Sequence, residues 1–290
     1  MSPHNSDSEY VLTFSCPQEA GIVHSITGIL VSHGGDIIDL RQFDDQITGH
    51  FFFRAKFCLT DAAEGTVDAL RSDMTALAKT LDAEWLLRSN QSKQQVLVMV
   101  SKFEHCLNDL LFRTRVGEIP AEIVAVVSNH PDHRQLVEWH GIPFFHIPIT
   151  ADTKPEAEKK LLEIADRFEV DLVVLARYMQ ILSDDLSREL TGRAINIHHS
   201  FLPSFKGAKP YHQAWERGVK TVGATAHYVN HELDEGPIIA QQVQAVDHAL
   251  SPEDLVAIGR DSECKALADA VKWHCESRVF LNRNRTVVLR

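Results

Sequence analysis

The sequence predicts an α/β protein with two successive parts, an N-terminal β-α-β-β-α-β unit and a C-terminal open, mostly parallel α/β sheet. Strand-like and helix-like hydrophobic patterns alternate along the whole chain of 290 residues. The polar string Ser89–Lys93 separates two stretches with different patterns. After that string the apolar runs are short, continuous and rich in valine, as expected for parallel strands covered on both faces.

The N-terminal part follows a polar stretch at residues 1–9 and has the element order of a ferredoxin-like motif. Gly34-Gly35 ends its first helix, and apolar residues at helical spacing define its second. The predicted elements are a strand over Tyr10–Ser15, a helix over Glu19–Ser32, strands over Asp36–Phe43 and His50–Cys58, a helix over Ala63–Leu81 and a strand over Glu84–Arg88. We predict that residues 9–89 form one domain.

The C-terminal part alternates strands and helices, which predicts β-α units with parallel strands. The predicted strands are Val96–Val100, Ala121–Ser128 and Asp171–Leu175, and the predicted helices are His105–Arg115, Pro131–His140 and Lys154–Phe168. A long last helix is expected to begin at Ser251, because serine caps helices and the following Pro-Glu-Asp suits a first turn. We predict that residues 94–290 form the second domain.

The composition excludes several classes of protein. A formal charge of −11, from 29 basic and 40 acidic residues, argues against a nucleic-acid partner, which needs a basic face. No apolar run reaches the roughly 18 residues of a membrane helix, and the N-terminus lacks a signal-peptide pattern. The five cysteines are odd in number and have no C-x-x-C spacing. We therefore predict a cytoplasmic protein with reduced thiols and no membrane partner.

The most informative stretch is Ala194–Pro203, where a strand pattern carries polar side chains. Because side chains alternate along a strand, Asn196 and His198 project to one face, and the two isoleucines beside them project to the other. Open α/β sheets bind their ligands at the carboxyl ends of such strands. Asp234 lies before a Glu-Gly-Pro turn that can bring its carboxylate beside the imidazole.

An amide, an imidazole and a carboxylate together suit hydrolytic chemistry. Asn196 can donate a hydrogen bond to a developing oxyanion, His198 can transfer a proton, and Asp234 can orient water and stabilise the charged imidazole. No serine or cysteine is evidently activated, so direct attack by water or an amine fits better than a covalent intermediate. No histidine spacing typical of a metal site is found, and no metal or cofactor is expected. Without a further signal, two polar residues on one strand face are more often part of a buried, hydrogen-bonded network than a catalytic pair.

These residues also resemble a known signature. The motifs are Asn196-Ile197-His198, Ser200-Phe201-Leu202-Pro203, Phe205-Lys206-Gly207 and Asp234-x-Gly236-x-Ile238-Ile239. Their order and spacing are similar to those of the folate-dependent formyltransferase fold, over about residues 95–285. The resemblance implies that Asn196, His198 and Asp234 are catalytic. It also implies that the folate pterin is held by Tyr178, Met179, Gln180, Ile181 and Leu182.

The acceptor of the formyl group depends on a different segment. Glycinamide ribonucleotide formyltransferases of this fold hold the substrate phosphate with a glycine-rich loop after the first strand, since glycine lets backbone N–H groups approach the anion. The corresponding turn here, Ser101–Asn108, has no glycine and adds the carboxylate of Glu104. Water is therefore the favoured acceptor. Formyl transfer to an amine such as glycinamide ribonucleotide is the alternative, and a folate- or amino-acid-sensing binding protein is a second.

The N-terminal unit, with Cys16-Pro17-Gln18-Glu19-Ala20-Gly21 at its first turn, resembles an ACT domain. The resemblance implies an amino-acid effector, for which Gly21, Gly35 and Asp36 are candidate contacts at turns, and it implies a homo-oligomer. A plain ferredoxin-like dimerisation unit is the alternative.

The order of the two domains, together with His198–Pro203 and Ala208–Ala214, resembles the formyltetrahydrofolate deformylase family. This resemblance implies hydrolysis of 10-formyltetrahydrofolate to formate and tetrahydrofolate. Water is then the second substrate and no cofactor is needed. The reaction would supply formate for purine biosynthesis and balance one-carbon pools.

Overall fold

The computed structural model describes residues 9–60, 65–202 and 210–290 and divides the chain into two compact units. The first unit contains the described residues up to Lys93 together with Ser277–Asn282 and Val287–Arg290. The second contains Gln94–Glu276 and Arg283–Thr286. The C-terminal residues are thus shared between the units, whereas the sequence assigned all of them to the second domain. Domain boundaries at 9–89 and 94–290 stay a prediction.

The first unit has the predicted β-α-β-β-α-β order. Its elements are β1 (Glu9–Pro17), α1 (Ile22–Ser32), β2 (Gly35–Asp45), β3 (His50–Leu59), α2 (Thr66–Thr80) and β4 (Glu84–Ser89). The strands form one antiparallel sheet in the order β2-β3-β1-β4. The two helices bury their apolar sides in the core of this unit, with Ile26 and Leu30 of α1 and Leu70 and Met74 of α2 fully covered. Each such side chain stabilises the fold by about 1.5–3 kcal/mol.

The second unit alternates strands and helices around a larger sheet. Its elements are β5 (Gln94–Val100), α3 (His105–Arg115), β6 (Ala121–Ser128), α4 (Arg134–Trp139), β7 (Phe144–His146), α5 (Lys154–Arg167), β8 (Leu172–Ala176), α6 (Asp184–Glu189), β9 (Ala194–His198), α7 (Pro210–Glu216), β10 (Thr221–Tyr228), β11 (Ile238–Ala245) and α8 (Pro252–Cys275). A C-terminal hairpin follows, made of β12 (Val279–Asn282) and β13 (Arg285–Val288).

The larger sheet has the strand order β11-β10-β9-β8-β5-β6-β7. The five strands β9, β8, β5, β6 and β7 are parallel to one another, whereas β10 and β11 are antiparallel to their neighbours. The predicted fold class, an open and mostly parallel sheet, is therefore confirmed. The central strands are buried on both faces, which explains why their sequences are continuous apolar runs. The last helix begins as predicted, because Ser251 and Asp254 form a reciprocal capping box.

Some predicted boundaries and placements differ from the structure. The first helix begins at Ile22 rather than Glu19, because Gly21 has φ 91° and the residues before it form a turn. The helix predicted from Pro131 begins only at Arg134. Gly35 and Asp36 lie in β2, paired with Leu59 and Cys58, and not in a turn. The pattern analysis also missed β7, β10, β11 and the hairpin.

Several sequence motifs lie outside the described residues. They include residues 1–8, the predicted helix start at residues 63–64, and Pro203, Phe205-Lys206-Gly207 and Ala208-Lys209 of the signature. All five cysteines are free thiols, as the sequence predicts. No helix in the described ranges is both long and apolar enough to cross a membrane.

Candidate active site

The site is built where the parallel strands β8 and β9 of the larger sheet end, beside the antiparallel strand β10. β8 and β9 run parallel with Leu175 beside Asn196, so both strands end at the same edge of the sheet. β10 runs antiparallel to β9, which places His227 directly opposite Asn196. Residues paired in this way project to the same face. The sheet register therefore brings the amide and the second imidazole together before any side-chain contact is considered.

Four polar side chains meet at this edge. His198 Nδ1 lies 3.3 Å from Asp234 Oδ1, and His227 Nε2 lies 3.7 Å from the same oxygen. Asn196 Nδ2 lies 3.2 Å from His227 Nε2. The structure thus brings Asn196, His198 and Asp234 together as the sequence predicts. It adds His227 as the residue that links the amide to the carboxylate.

The tautomer of His227 follows from its partners. Its Nδ1 lies 2.9 Å from the backbone oxygen of Tyr228, and a carbonyl only accepts, so Nδ1 carries the proton. In the neutral ring Nε2 is then an acceptor, and it receives one N–H of Asn196. The contact of 3.7 Å between His227 and Asp234 is too long for a hydrogen bond. This arrangement fixes the orientation of the Asn196 amide and leaves its second N–H for a ligand.

Asp234 reaches the histidines on a tightly folded loop between β10 and β11. Its own backbone is left-handed, with φ 59°, a conformation that aspartate tolerates better than most residues. Gly236 passes so close to β10 that an added Cβ would lie 1.7 Å from the backbone oxygen of Tyr228. A glycine at this position is therefore required for the close approach that places the carboxylate.

Asp234 is ionised over a wide pH range. Its hydrogen bond with His198 holds the pKa of the Asp234 carboxyl well below its usual value despite partial burial. The side chain keeps 28% of its surface exposed.

A cavity of about 1050 Å³ opens in front of these residues. Asn196, His198, His227 and Asp234 line it, and so does the whole predicted pterin segment, Tyr178, Met179, Gln180, Ile181 and Leu182. Met179 is 53% exposed and Ile181 61%, although both are apolar, whereas Tyr178 is buried. Exposed apolar side chains beside a few polar groups are typical of a binding site for an aromatic ligand.

The glycine-free turn after β5 contacts the segment predicted to hold the pterin. Ser101 is buried, and its hydroxyl accepts a hydrogen bond from the backbone N–H of Met179 and donates one to Asn129. His133 contacts the Ser101 carbonyl at 2.9 Å and Glu104 at 3.4 Å. In this protein the turn therefore fixes the neighbouring strand end by side-chain contacts.

A second polar cluster lies next to the cavity. Glu263 on α8 is buried, accepts hydrogen bonds from His105 and Tyr211 at 2.7 and 2.9 Å, and lies 3.3 Å from Arg177. Although burial opposes ionisation, His105 and then Arg177 lower the pKa of the Glu263 carboxyl. The sequence did not predict this cluster, because its members lie far apart in the chain and only folding brings them together.

Part of the second cluster has metal-binding residue types. In the described part of the chain, His105, Cys106 and Glu263 place their ligand atoms within 4.8 Å of one another. However, His105 already contacts Glu263, and a hydrogen bond with Cys264 followed by burial raises the pKa of the Cys106 thiol well above its usual value. A protonated thiol is a poor metal ligand and a poor nucleophile. We therefore interpret this group as a buried ion network.

His227 is the site residue that the sequence reasoning missed. The signal was present, since Thr221–Tyr228 is rich in β-branched and small apolar residues and places a histidine seven positions before Asp234. Only the pairing of β10 with β9 shows that this histidine faces Asn196.

The candidate effector residues of the first unit do not meet in one place. Gly21 precedes α1, whereas Gly35 and Asp36 follow its C-terminal end, and a helix of this length spans about 16 Å. Close packing explains why position 35 is a glycine, because an added Cβ would lie 2.7 Å from the Leu30 carbonyl oxygen. An effector site at these residues stays a prediction.

The similarity of this chain to known proteins identifies the family to which its fold and site belong. A family model described as Formyl transferase matches residues 94–271. A formyltetrahydrofolate deformylase from Corynebacterium sp. (strain P-1) is 66% identical over 281 residues, covering 97% of this chain and 98% of that protein. The crystal structure of a formyltetrahydrofolate deformylase from Burkholderia mallei superposes with a TM-score of 0.94 at 52% identity, covering 98% of this chain and 100% of that one.

Glycinamide ribonucleotide transformylases are less similar to this chain in sequence and in structure. The glycinamide ribonucleotide transformylase 1 of Symbiobacterium toebii has a TM-score of 0.65 at 29% identity and covers 70% of this chain and 97% of that one. The deformylases match nearly the whole chain, including the first unit. The chain therefore belongs to the formyltetrahydrofolate deformylase family.

Proposed function

We propose that the protein hydrolyses 10-formyltetrahydrofolate to formate and tetrahydrofolate. The observation that carries the proposal is the group of Asn196, His198 and Asp234 in the wall of a cavity that the segment 178–182 also lines. The likeness to deformylases over nearly the whole chain supports the same reaction. The cavity of about 1050 Å³ is large enough for a folate.

The reaction begins with water beside the carboxylate. Asp234 uses Oδ1 for both histidine contacts, so Oδ2 is the oxygen that orients the attacking water. His198 directs Nδ1 to Asp234, so its Nε2 faces the substrate. The water oxygen attacks the formyl carbon, and the negative charge of the tetrahedral intermediate develops on the former carbonyl oxygen. Asn196 and protonated His198 stabilise that charge by hydrogen bonds.

The intermediate then breaks down by cleavage of the C–N bond. One proton of the original water reaches the folate nitrogen through His198 or through a second water, and tetrahydrofolate leaves. The other proton is released when formic acid ionises. The reacting group is thus neutral as a formamide and becomes an anion as formate.

Water rather than an amine is the proposed acceptor. The turn after β5 has no glycine and is occupied by contacts of Ser101 and Glu104, so it offers no phosphate loop for a nucleotide amine. A covalent route through cysteine is disfavoured, because the raised pKa of Cys106 keeps that thiol protonated.

The decisive experiment supplies 10-formyltetrahydrofolate alone in water enriched with heavy oxygen. We expect equal amounts of formate and tetrahydrofolate, with one solvent oxygen in each formate, and no change when glycinamide ribonucleotide is added. The Asn196→Ala variant is the control for enzyme-dependent turnover. Turnover that requires the amine indicates a transferase instead, and no turnover with or without it indicates a binding protein.

Three further properties are part of the proposal. The protein acts without a cofactor, with the folate as substrate, and it works in the cytoplasm, for which the free thiols are suited. It forms a homo-oligomer, and the first unit binds an amino-acid effector. Size-exclusion chromatography with light scattering tests the oligomer, and amino-acid-dependent changes in turnover test the effector.

A further inference from the structure

Arg177 is the first residue after β8 and lies at the edge where the catalytic strands end. The register of Leu175 beside Asn196 places Arg177 at the level of His198 on the neighbouring strand. Its backbone has φ 63°, a left-handed conformation that is rarely adopted by residues with long side chains. Such strained positions cluster at ligand sites, where surrounding contacts maintain them.

The guanidinium of Arg177 has unmet hydrogen-bonding capacity. Its side chain is only 11% exposed and stacks over the Phe103 ring at 5.3 Å. Nε lies 3.3 Å from a Glu263 oxygen, but neither Nε nor Nη1 has a hydrogen-bond partner in the part of the chain that the structure describes. Buried N–H groups normally have partners, and unpaired ones indicate a water, an ion or a ligand.

Arg177 shares its cavity with the catalytic residues, and the reaction changes charge in that cavity. Asn196, His198 and Asp234 line the same space as Arg177. The formamide substrate is neutral, and formate is a planar anion with two oxygens, the shape that a guanidinium binds best. Asp234, which lines the same cavity, repels this anion because its own carboxylate is ionised.

The neighbouring histidine does not supply the needed positive charge. Burial, and then the charges of Arg177 and His198, lower the pKa of His199 to about 4, so its ring is neutral at neutral pH. Arg285 also lines the cavity but is exposed to solvent. Arg177 is therefore the buried cation of the described cavity wall.

We propose that Arg177 is a product-binding residue that holds formate in this cavity after C–N cleavage. This inference rests on the proposed function and adds a subsite to it. Glu263 partly neutralises the guanidinium, which keeps the affinity for formate low enough for release. The folate contacts at residues 178–182 are not involved.

Product inhibition and direct binding test the proposal together. Sodium formate is added to the turnover assay against sodium chloride at equal ionic strength, and the broadening of the ¹³C-formate NMR signal is measured without substrate. Because a lost charge-assisted hydrogen bond weakens binding about tenfold or more, Arg177→Met should raise the formate inhibition constant by about that factor. The KM for the folate should change by less than about threefold.

Three variants make the result specific. Arg177→Lys keeps the charge but loses the planar fork, so formate binding should be partly restored. Glu263→Gln removes the competing negative charge, so formate should bind more tightly than to the unmodified protein. Arg285→Met removes an exposed charge from the same cavity and should leave the formate inhibition constant within about twofold.

A loss of formate binding must be distinguished from a folding defect. The double variant with both Arg177→Met and Glu263→Gln serves this purpose, because it leaves neither partner of the ion pair as an unpaired buried charge. The proposal is overturned if this folded double variant binds formate as well as the unmodified protein does. It is also overturned if formate affects the unmodified protein no more than chloride does. Absence of hydrolysis contradicts the proposed function instead, and the NMR titration still decides whether Arg177 binds formate.

Discussion

Two of the histidine–carboxylate pairs in the second unit, His198 with Asp234 and His105 with Glu263, have similar contacts and different surroundings. His198 and Asp234 lie 3.3 Å apart and line the cavity, and Asp234 keeps 28% of its side-chain surface exposed. His105 and Glu263 lie 2.7 Å apart, and Glu263 is only 2% exposed. Asp234 is carried by a loop, whereas Glu263 is carried by the long helix α8.

The comparison shows that a histidine beside a carboxylate is not enough to distinguish a pair that can bind a ligand from a structural pair. In both pairs the histidine lowers the pKa of the carboxyl group. Glu263 has its hydrogen bonds filled by His105 and Tyr211, so it has little capacity left for a ligand. Asp234 keeps an oxygen for water. Access to the cavity, and spare hydrogen-bonding capacity, distinguish the pair that we propose to act on the substrate.

The largest effect is expected from Asp234→Asn, which keeps the shape and the tolerance for a left-handed backbone but removes the charge. We expect turnover to fall by about 10²–10⁴-fold, because water is no longer oriented by a carboxylate and the imidazolium loses its partner. Steady-state kinetics measure the loss, and circular dichroism checks the fold. Near-normal turnover of a folded Asp234→Asn protein would show that the cavity-facing pair is not catalytic.

Glu263→Gln should act on stability. The change leaves the buried Arg177 charge without its neutralising partner, which typically costs about 3–5 kcal/mol. The melting temperature is expected to fall by about 2–4 °C for each kcal/mol. Adding Arg177→Met should restore part of the loss, and a double-mutant cycle of melting temperatures measures the coupling. Additive effects of the two changes would contradict an ion network.

Gly236→Ala tests whether the loop positions the reactive carboxylate. An added methyl group would collide with the Tyr228 backbone oxygen, so the loop must move away from β10 and carry Asp234 with it. A displacement of about 1 Å is expected to lower kcat about a hundredfold. Gly28→Ala is the control, since an added Cβ there meets nothing within 4 Å and the residue lies within the helix α1. Equal kinetics of the two variants would exclude a positioning role for Gly236.

The smallest effect concerns pH and His199, which lies between the two pairs. Its pKa is lowered from 6.5 to about 4, first by burial and then by Arg177, so the unfolded chain binds the proton more readily than the folded one. Stability is therefore complete above pH 6.5 and decreases as the pH falls towards 4. His199→Gln should reduce this decrease without changing the shape of the activity profile above pH 6. Thermal melts at several pH values test this, and an unchanged decrease contradicts it.

The sequence determined most of the regular structure. Period-two and helical patterns gave the order of the first unit, because its elements are amphipathic, and valine-rich runs identified the buried parallel strands. Ser251 and Asp254 specified the start of α8 through local hydrogen bonds. The alternation along β9 placed Asn196 and His198 on one face. Each of these features depends on neighbours within a few residues, so the sequence contains the necessary information.

Only the tertiary structure decided which polar residues meet. His227 faces Asn196 because β10 pairs with β9 in one register, and a shift of one residue would turn it to the other face. Arg177, His105 and Glu263 converge although they are separated by up to 158 positions. Local patterns do not encode such contacts, because they depend on how strands and helices pack. The family signature predicted which residues are catalytic, and the packing showed which side chains contact them.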